Sequence, residues 1–479
     1  MLSLKKSFLR AAVFSRRSGQ ITVWLSLSFL VFLSLYLVCF NSVQKQNQRR
    51  KAEHSVEAGM FSLFSEFEPH LLDDYSLLYV DTSFRSGRES TDEICSHLWH
   101  FIENNAAAPS GSVSQGLHLQ GVNVKNPVRA TDGQGAVFYR QAIRVMKART
   151  GISLAEDWDF QEKFREEAEE DTRCFLKDCE TYEGSVENYE SEDEEEALGS
   201  KVRQWDGLRN SFTLSAVLSD PSKLSERAIN PEVIPSRRDL SQGIGCKDGS
   251  EDRIVQKQWF ISYLCKYFKH AREMMGNERE GGYLDYQMEY IIGGNSSDRQ
   301  NLEQVIQKLL LIRQGINYVF LISHPEFSGE AEALADILAG FTGSPALVKG
   351  LKHLILLGWA CGESLVEVRQ LLRGYELSAV KGTKDWQVSL SGLLELIVNP
   401  GKYDEQTQKQ QGLKYEFFLR LLLSMKSAKV LAMRSLDIIE GELQLKKGCE
   451  KIHLDHCVES LTAQVWMEGI YLERTYGYD

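Results

Sequence analysis

The sequence predicts an α+β protein: an N-terminal single transmembrane helix extended into a long amphipathic helix, then a helix-rich ectodomain with a small antiparallel sheet. Three observations carry that expectation. Residues 21–40 are 20 consecutive residues without a charge. Most later segments place apolar residues at three- and four-residue steps, the period of a helix with one buried face. The few segments with strand character lie far apart in the chain, the pattern of α+β rather than alternating α/β folds. With 479 residues, 25% of them charged, 43% hydrophobic and only 9 prolines, the chain is not collagen-like, wholly disordered or a disulfide-dense mini-protein.

The first element is the uncharged run. Thirteen of its 20 residues are Leu, Ile, Val or Phe, and as a helix it spans about 30 Å, the thickness of a bilayer's hydrocarbon. Lys5, Lys6, Arg10, Arg16 and Arg17 precede it without an acid, whereas Lys45, Arg49, Arg50 and Lys51 after it are tempered by Glu53 and Glu57. That asymmetry predicts a cytoplasmic N-terminus and an extracytoplasmic C-terminal part in the cell membrane. A cleaved secretory signal is the competing reading. It fits less well, because the run exceeds a signal's apolar core and residues 39–43 offer no small-residue cleavage site. Beyond the run, Ala52, Val56, Met60, Leu63, Phe64 and Phe67 form a stripe, so either one rod of about 45 residues or a separate surface helix after a break near Asn41 is expected, with Pro69 as its end.

The organisation that follows is a cytoplasmic basic tail (1–19), a transmembrane helix (20–43), an N-terminal part of the ectodomain (44–105), a loop-rich insertion (106–255) with an acidic tract (156–197), and a C-terminal α+β part (256–479). Residues 76–81 read as a short strand and 92–104 as a helix. Residues 106–135 are rich in Gly, Ser and Asn and read as loop, before a helix over 136–149. Charge is uneven: 19 Asp and Glu against 4 Lys and Arg between residues 151 and 200 give −15 in a chain whose total is −12, so the rest carries +3. The first half of this tract has helical character, while 182–199 has too much like charge to order itself. Pro221, Pro231 and Pro235 mark an irregular connection.

In the C-terminal part, 259–275 reads as a helix and 286–292 as a strand, from the alternation of Tyr286, Met288, Tyr290 and Ile292. Ser297 is placed to cap an apolar-striped helix over 302–322. Further helices are expected at 329–339, 346–372, 414–424 and 428–445, and strands at 377–381 and 461–472. The apolar stretch 347–359 reads as a core helix, since Lys349, Lys352 and His353 interrupt it. The early strand is expected to pair with the late ones.

Candidate chemistry is sparse. Cys95, His97 and His100 share one helix, but only the two histidines share a face. Cys449, His453, Asp455, His456 and Cys457 put five N, S or O donors in nine residues; without paired CxxC or HxxxH spacing, an ordinary turn with a half-buried Cys457 is the simpler reading. Cys174 with Cys179, or Cys449 with Cys457, could form disulfides in an oxidising compartment. Gly243 and Gly245 miss the dinucleotide spacing and read as a turn, and Glu363-Ser364 has no identifiable base. No nucleophile elbow, HExxH or P-loop occurs, and the acidic tract lacks a calcium loop's pattern. No catalytic, cofactor-binding or metal residue is assigned, and no cofactor or nucleic-acid partner is expected.

The string 17–23 (RSGQITV), the span behind it and residues 72–81 (LDDYSLLYVD) resemble the start of TadE/TadG-type proteins, the pseudopilin-like components of tight-adherence (Flp) pilus machinery. More particularly, the chain resembles a membrane-anchored family of clostridial-type bacteria. Residues 289–293, 313–317, 358–360 with Glu363-Ser364, 384–386, 412–415 and 434–440 carry that likeness. The resemblance implies a non-catalytic assembly or scaffolding component of a pilus or secretion apparatus, held in membrane lipid through residues 21–40 and bound to protein partners. A membrane-tethered envelope enzyme or a surface adhesin is the alternative. It also implies possible cleavage after Gly19, while Trp24 stands where a pilin has its assembly glutamate.

Overall fold

The computed structural model describes residues 3–107, 116–149, 155–187, 217, 224–245, 254–274, 282–379, 381–393, 396, 403 and 412–478. In chain order the elements are α1 (Ser3–Phe64), α2 (Pro69–Tyr75), β1 (Val80–Asp81), α3 (Thr91–Ala106), β2 (Leu119–Arg129), α4 (Asp132–Arg149) and α5 (Ala155–Glu187). There follow α6 (Ile254–Tyr267), α7 (Ala271–Met274), α8 (Gln287–Gly293), α9 (Asp298–Ser323), α10 (Pro325–Ala339), α11 (Pro345–Arg373), α12 (Tyr415–Ser424), α13 (Ala428–Gln444), β3 (Cys457–Met467) and β4 (Ile470–Gly477). They divide into two compact units: Met1–Phe67, Glu89–Pro127 and Ser460–Asp479 form the first, Glu68–Arg88 and Val128–Glu459 the second.

In the first unit, α1 runs without a break through residue 41. The large apolar side chains of residues 21–40 are exposed, whereas Ala52, Val56, Met60, Leu63 and Phe64 are buried, so one helix changes from an all-round apolar surface to a one-sided stripe. That stripe meets α3, whose Ser90 cap accepts the Glu93 N–H at 3.3 Å and whose Ile94, Leu98, Ile102 and Ala106 are buried. The crossing is close at Gly59, where a Cβ would lie 2.5 Å from Ile102 Cγ1. On β4, Tyr476 and Tyr478 pack against Phe64, the Tyr478 hydroxyl donates to the Phe64 carbonyl, and Arg474 pairs with Glu53 and Glu57.

The expected single strand over 461–472 is two strands. β3 and β4 pair antiparallel from Ser460↔Gly477 to Met467↔Ile470, and Glu468 and Gly469 turn the chain with φ of 49° and 74°, the backbone that a two-residue hairpin requires. The loop expected over 106–135 contains β2, in which Gly121, Asn123, Asn126 and Pro127 disguise a strand. Early and late segments do pair: Val80 faces Val458 and Asp81 faces Cys457, antiparallel, in a sheet of order β1-β3-β2 with β4 on β3. The strand proper is shorter than expected, Val80–Asp81.

In the second unit, Pro69 begins α2 at its first position and does not end the rod, which stops at Phe64. The segment 286–292 is the helix α8 and not a strand. All its residues from Gln287 to Ile292 are buried, so alternation carries no information about which face is inside, and Gly294 ends it in the left-handed region. The helix expected over 259–275 is two, α6 and α7, interrupted at 268–270, with Met275 outside the described residues. At 377–381 only the bridge Leu377↔Leu413 is found among the described residues. Helix α9 starts as expected, with Ser297 accepting from the Gln300 N–H, and α11 is a buried core helix.

The acidic tract begins as part of the core. Phe164, Ala168, Phe175 and Cys179 of α5 are buried, at helical spacing, and Gly315 of α9 lets the two backbones approach until a Cβ would meet Thr172 N at 2.6 Å. With α5, α9 and α11 packed on one another, Asp159, Glu166, Glu167, Glu170 and Glu180 lie on the exposed face of a core helix, while Asp178 accepts from the Tyr318 hydroxyl of α9 at 2.8 Å. Residues 188–197 lie outside the described residues.

Candidate functional site

Strings that are far apart in sequence meet in two polar clusters of the second unit. The first lies between α9 and α11. Arg313 and Asn317 stand one turn apart on α9, and Glu363 and Glu367 one turn apart on α11, so each pair shares a face. Arg313 donates to both oxygens of Glu367 at 2.8 and 2.7 Å, and Asn317 Nδ2 donates to Glu367 and to Ser364 Oγ at 2.8 and 2.9 Å. Lys381 Nζ, arriving after α11, lies 2.7 Å from both Glu363 and Glu367 and 4.4 Å from the Trp386 ring centre. The backbone N–H groups of Gln387 and Val388 donate to Glu363, and Trp359 Nε1 donates to the Val388 carbonyl.

All of these charges are buried, and two cations against two carboxylates leave the cluster neutral. Burial, only partly offset by Lys381, pushes the Glu363 carboxyl above its usual range; Glu367, although burial works the other way, is held below it by Arg313 and Lys381. Arg313 Nη1 and Asn317 Oδ1 find no hydrogen-bond partner among the described residues. The arrangement locks α9, α11 and the segment 381–388 together. It offers no activated nucleophile.

The second cluster surrounds α8 and α13. Tyr415 Oη and the Ala271 N–H donate to Glu289 at 2.8 and 3.0 Å, and burial pushes that carboxyl up to about 7. Tyr290 Oη and the Ser236 N–H donate to Asp437 at 2.8 and 2.7 Å; burial pushes it up to about 6. Arg434 donates to the carbonyls of Ile291 and Ile292. Carboxylates also fasten the irregular segment 224–245: Asp298 takes the Ser225 hydroxyl, Asp455 the Ser241 N–H, and Asp132 the N–H groups of Gly243 and Gly245. Arg238 completes the fastening by donating to both Glu440 and Asp455.

The donors that composition singled out are dispersed. His97 faces Glu66 at 3.4 Å and His100 Nε2 faces Asn104 at 3.0 Å, both away from Cys95. Of the 449–457 group, His453 and Asp455 join Glu440, where Arg238 already supplies the cation. Cys457 Sγ donates to the His453 carbonyl, the His456 carbonyl receives Thr82, and Cys449 lies instead beside Glu68 and His70. Cys174, Cys179, Cys449 and Cys457 are not joined in disulfides, so neither of the two pairings considered is present. Gly243 and Gly245 lie in an irregular segment whose N–H groups are held by Asp132, and Glu363 belongs to the first cluster. Gly19 lies within α1, and Trp24 is exposed on it. Arg238, Glu367, Lys381, Glu68 and His70 carried no signal in the sequence, because their partners are distant in the chain.

Over residues 189–469 the chain matches a family of unknown function (DUF5702). The chain belongs to this family. No curated protein and no solved structure matches it. The matched stretch contains α9, α11 and every side chain of the first cluster, together with Arg238, Glu289, Asp437, Glu440 and Asp455; α1 and α3 lie outside it.

Proposed function

We propose that this member of the family is a membrane-anchored assembly or scaffolding component of a tight-adherence-type pilus or secretion apparatus, with its N-terminus cytoplasmic and its folded part extracytoplasmic. One observation carries the reading. A single helix presents an exposed, all-round apolar surface over residues 21–40 and, without a break, a buried stripe from Ala52 to Phe64. This helix is long and apolar enough to cross a bilayer, and the free energy of its insertion, about −4 to −8 kcal/mol from 13 strongly apolar side chains, favours lipid over water. Rigid continuity means that lipid holds the helix while its other half is part of a folded unit. The two polar clusters support a structural role, since their charges are spent on joining elements. The pilus assignment rests on the resemblance of residues 17–23 and 72–81 to TadE/TadG-type proteins.

The test is complementation in native cells lacking the chain. The full chain restores pilus assembly or secretion, and a version with residues 1–40 replaced by a cleavable secretion signal does not. Full restoration by the unanchored version contradicts the proposal.

A further inference from the structure

Three side chains outside both clusters converge from distant parts of the second unit: Glu68, which caps α2, His70 in its first turn, and Cys449 in the loop after α13. We propose that they bind a divalent metal ion of the zinc class. Their ligand atoms all lie within 4.8 Å of one another, and Cys449 Sγ is 3.7 Å from Glu68 Oε1. For zinc bonds of about 2.3 Å to sulfur and about 2.1 Å to oxygen, two corners of a tetrahedron stand about 3.6 Å apart. The thiol and carboxylate therefore already have the separation of neighbouring ligands.

The surroundings suit a metal better than a nucleophile. Glu68 and Cys449 are buried and His70 is half-buried, so two ligands are dry and one side faces solvent. Arg85 donates to Glu68 Oε2 at 3.1 Å, which leaves Oε1 facing the thiol, the kind of outer support that orients a ligating carboxylate. The His70 ring makes no hydrogen bond or ion pair among the described residues. Burial first, and then the Glu68 carboxylate, pushes the Cys449 thiol up to about 11, against the opposing pull of Arg85, whereas a reactive cysteine needs the opposite shift. A metal ion changes that balance: the S–H bond breaks, an S–metal bond forms, and one proton leaves to solvent. A divalent ion with one thiolate and one carboxylate is then neutral, and Arg85 and Glu450 are the other charged groups beside the thiol. Three protein ligands leave a fourth position open to water or a further ligand.

The site is tested by titrating the chelator-stripped full chain, in detergent, with Co²⁺. The expected result is one ion bound per chain, a thiolate-to-cobalt charge-transfer band, about one proton released per ion, and displacement by Zn²⁺. Cys449→Ser abolishes the band, and His70→Gln weakens binding at least about 10-fold, while Cys457→Ser changes neither. Absence of stoichiometric binding to the unaltered chain overturns the proposal, as does a band that persists in Cys449→Ser. If Cys449→Ser does not fold, the half-buried His70→Gln decides, and an affinity within about 3-fold of the unaltered chain refutes the site.

Discussion

Replacing Arg313 by Met is the sharpest perturbation of the buried lattice. The side chain keeps its apolar length but loses two charge-assisted hydrogen bonds to Glu367, at 2.8 and 2.7 Å. Two carboxylates then face one cation, Lys381, at 2.7 Å from each. Breaking a buried pair by removing one partner costs about 3–5 kcal/mol, because a charge is left without compensation; with Lys381 still shared, a loss near about 3 kcal/mol is expected at pH 7. The sign of the pH dependence follows. Wild-type Glu367 is held below its usual range, so its contribution is present above the unfolded pKa and fades as pH falls through the folded one. In Arg313→Met a carboxylate is instead raised, and protonation relieves the penalty. The stability gap between the two proteins therefore narrows as pH falls from 7 towards 4. Urea unfolding of the full chain in detergent, followed by the fluorescence of Trp359 and Trp386 beside the lattice, measures both effects. The double variant Arg313→Met, Glu367→Leu removes one charge of each sign and recovers most of the loss. A single-variant cost below about 1 kcal/mol, or a double variant as unstable as the single, refutes the reasoning.

Glu289→Gln removes a carboxyl that burial pushes up to about 7. Its raised value means that stability is full below the unfolded pKa and lost as pH rises through 7, so relative to the variant the wild type weakens between about pH 4.5 and 7 by about 3 kcal/mol; unfolding midpoints of both proteins across that range check it, and parallel curves contradict it. Gly315→Ala forces a methyl group against the Thr172 backbone, where a Cβ would stand 2.6 Å from N. It lowers stability by about 1–3 kcal/mol and speeds hydrogen exchange in α5, and unchanged exchange there would show that α5 does not pack on α9.

Much of the helical framework is legible because its signals are local. Ser297 before a striped segment announces α9, and the polar interruptions Lys349, Lys352 and His353 point to the buried core helix that α11 is. The errors have physical causes too. Alternation of apolar and polar residues reports a strand only when one face is wet, and α8 is buried all round, including Gln287 and Glu289. The strand β2 hides behind Asn126, whose φ of 52° bends the strand, and the β3–β4 hairpin turns on two residues, Glu468 and Gly469, inside what reads as one β-rich run. The polar clusters were legible only as fragments. Glu363 is visible as an isolated acid, but its meaning depends on Lys381, Arg313 and Glu367, and no spacing rule links Arg313 to a partner 54 residues away. Likewise Cys449 looks like a partner of His453 in sequence, whereas chain topology delivers it to Glu68, 381 residues earlier.

The central claim is that residues 21–40 reside in lipid, and alkaline carbonate extraction of native membranes tests it most directly. The full chain is expected to stay with the membrane pellet. A variant with Leu30→Arg and Leu33→Arg, two exposed positions of α1, adds about 5–7 kcal/mol to the insertion free energy, enough to cancel it, and is expected in the supernatant. Release of the unaltered full-length chain by carbonate contradicts the account.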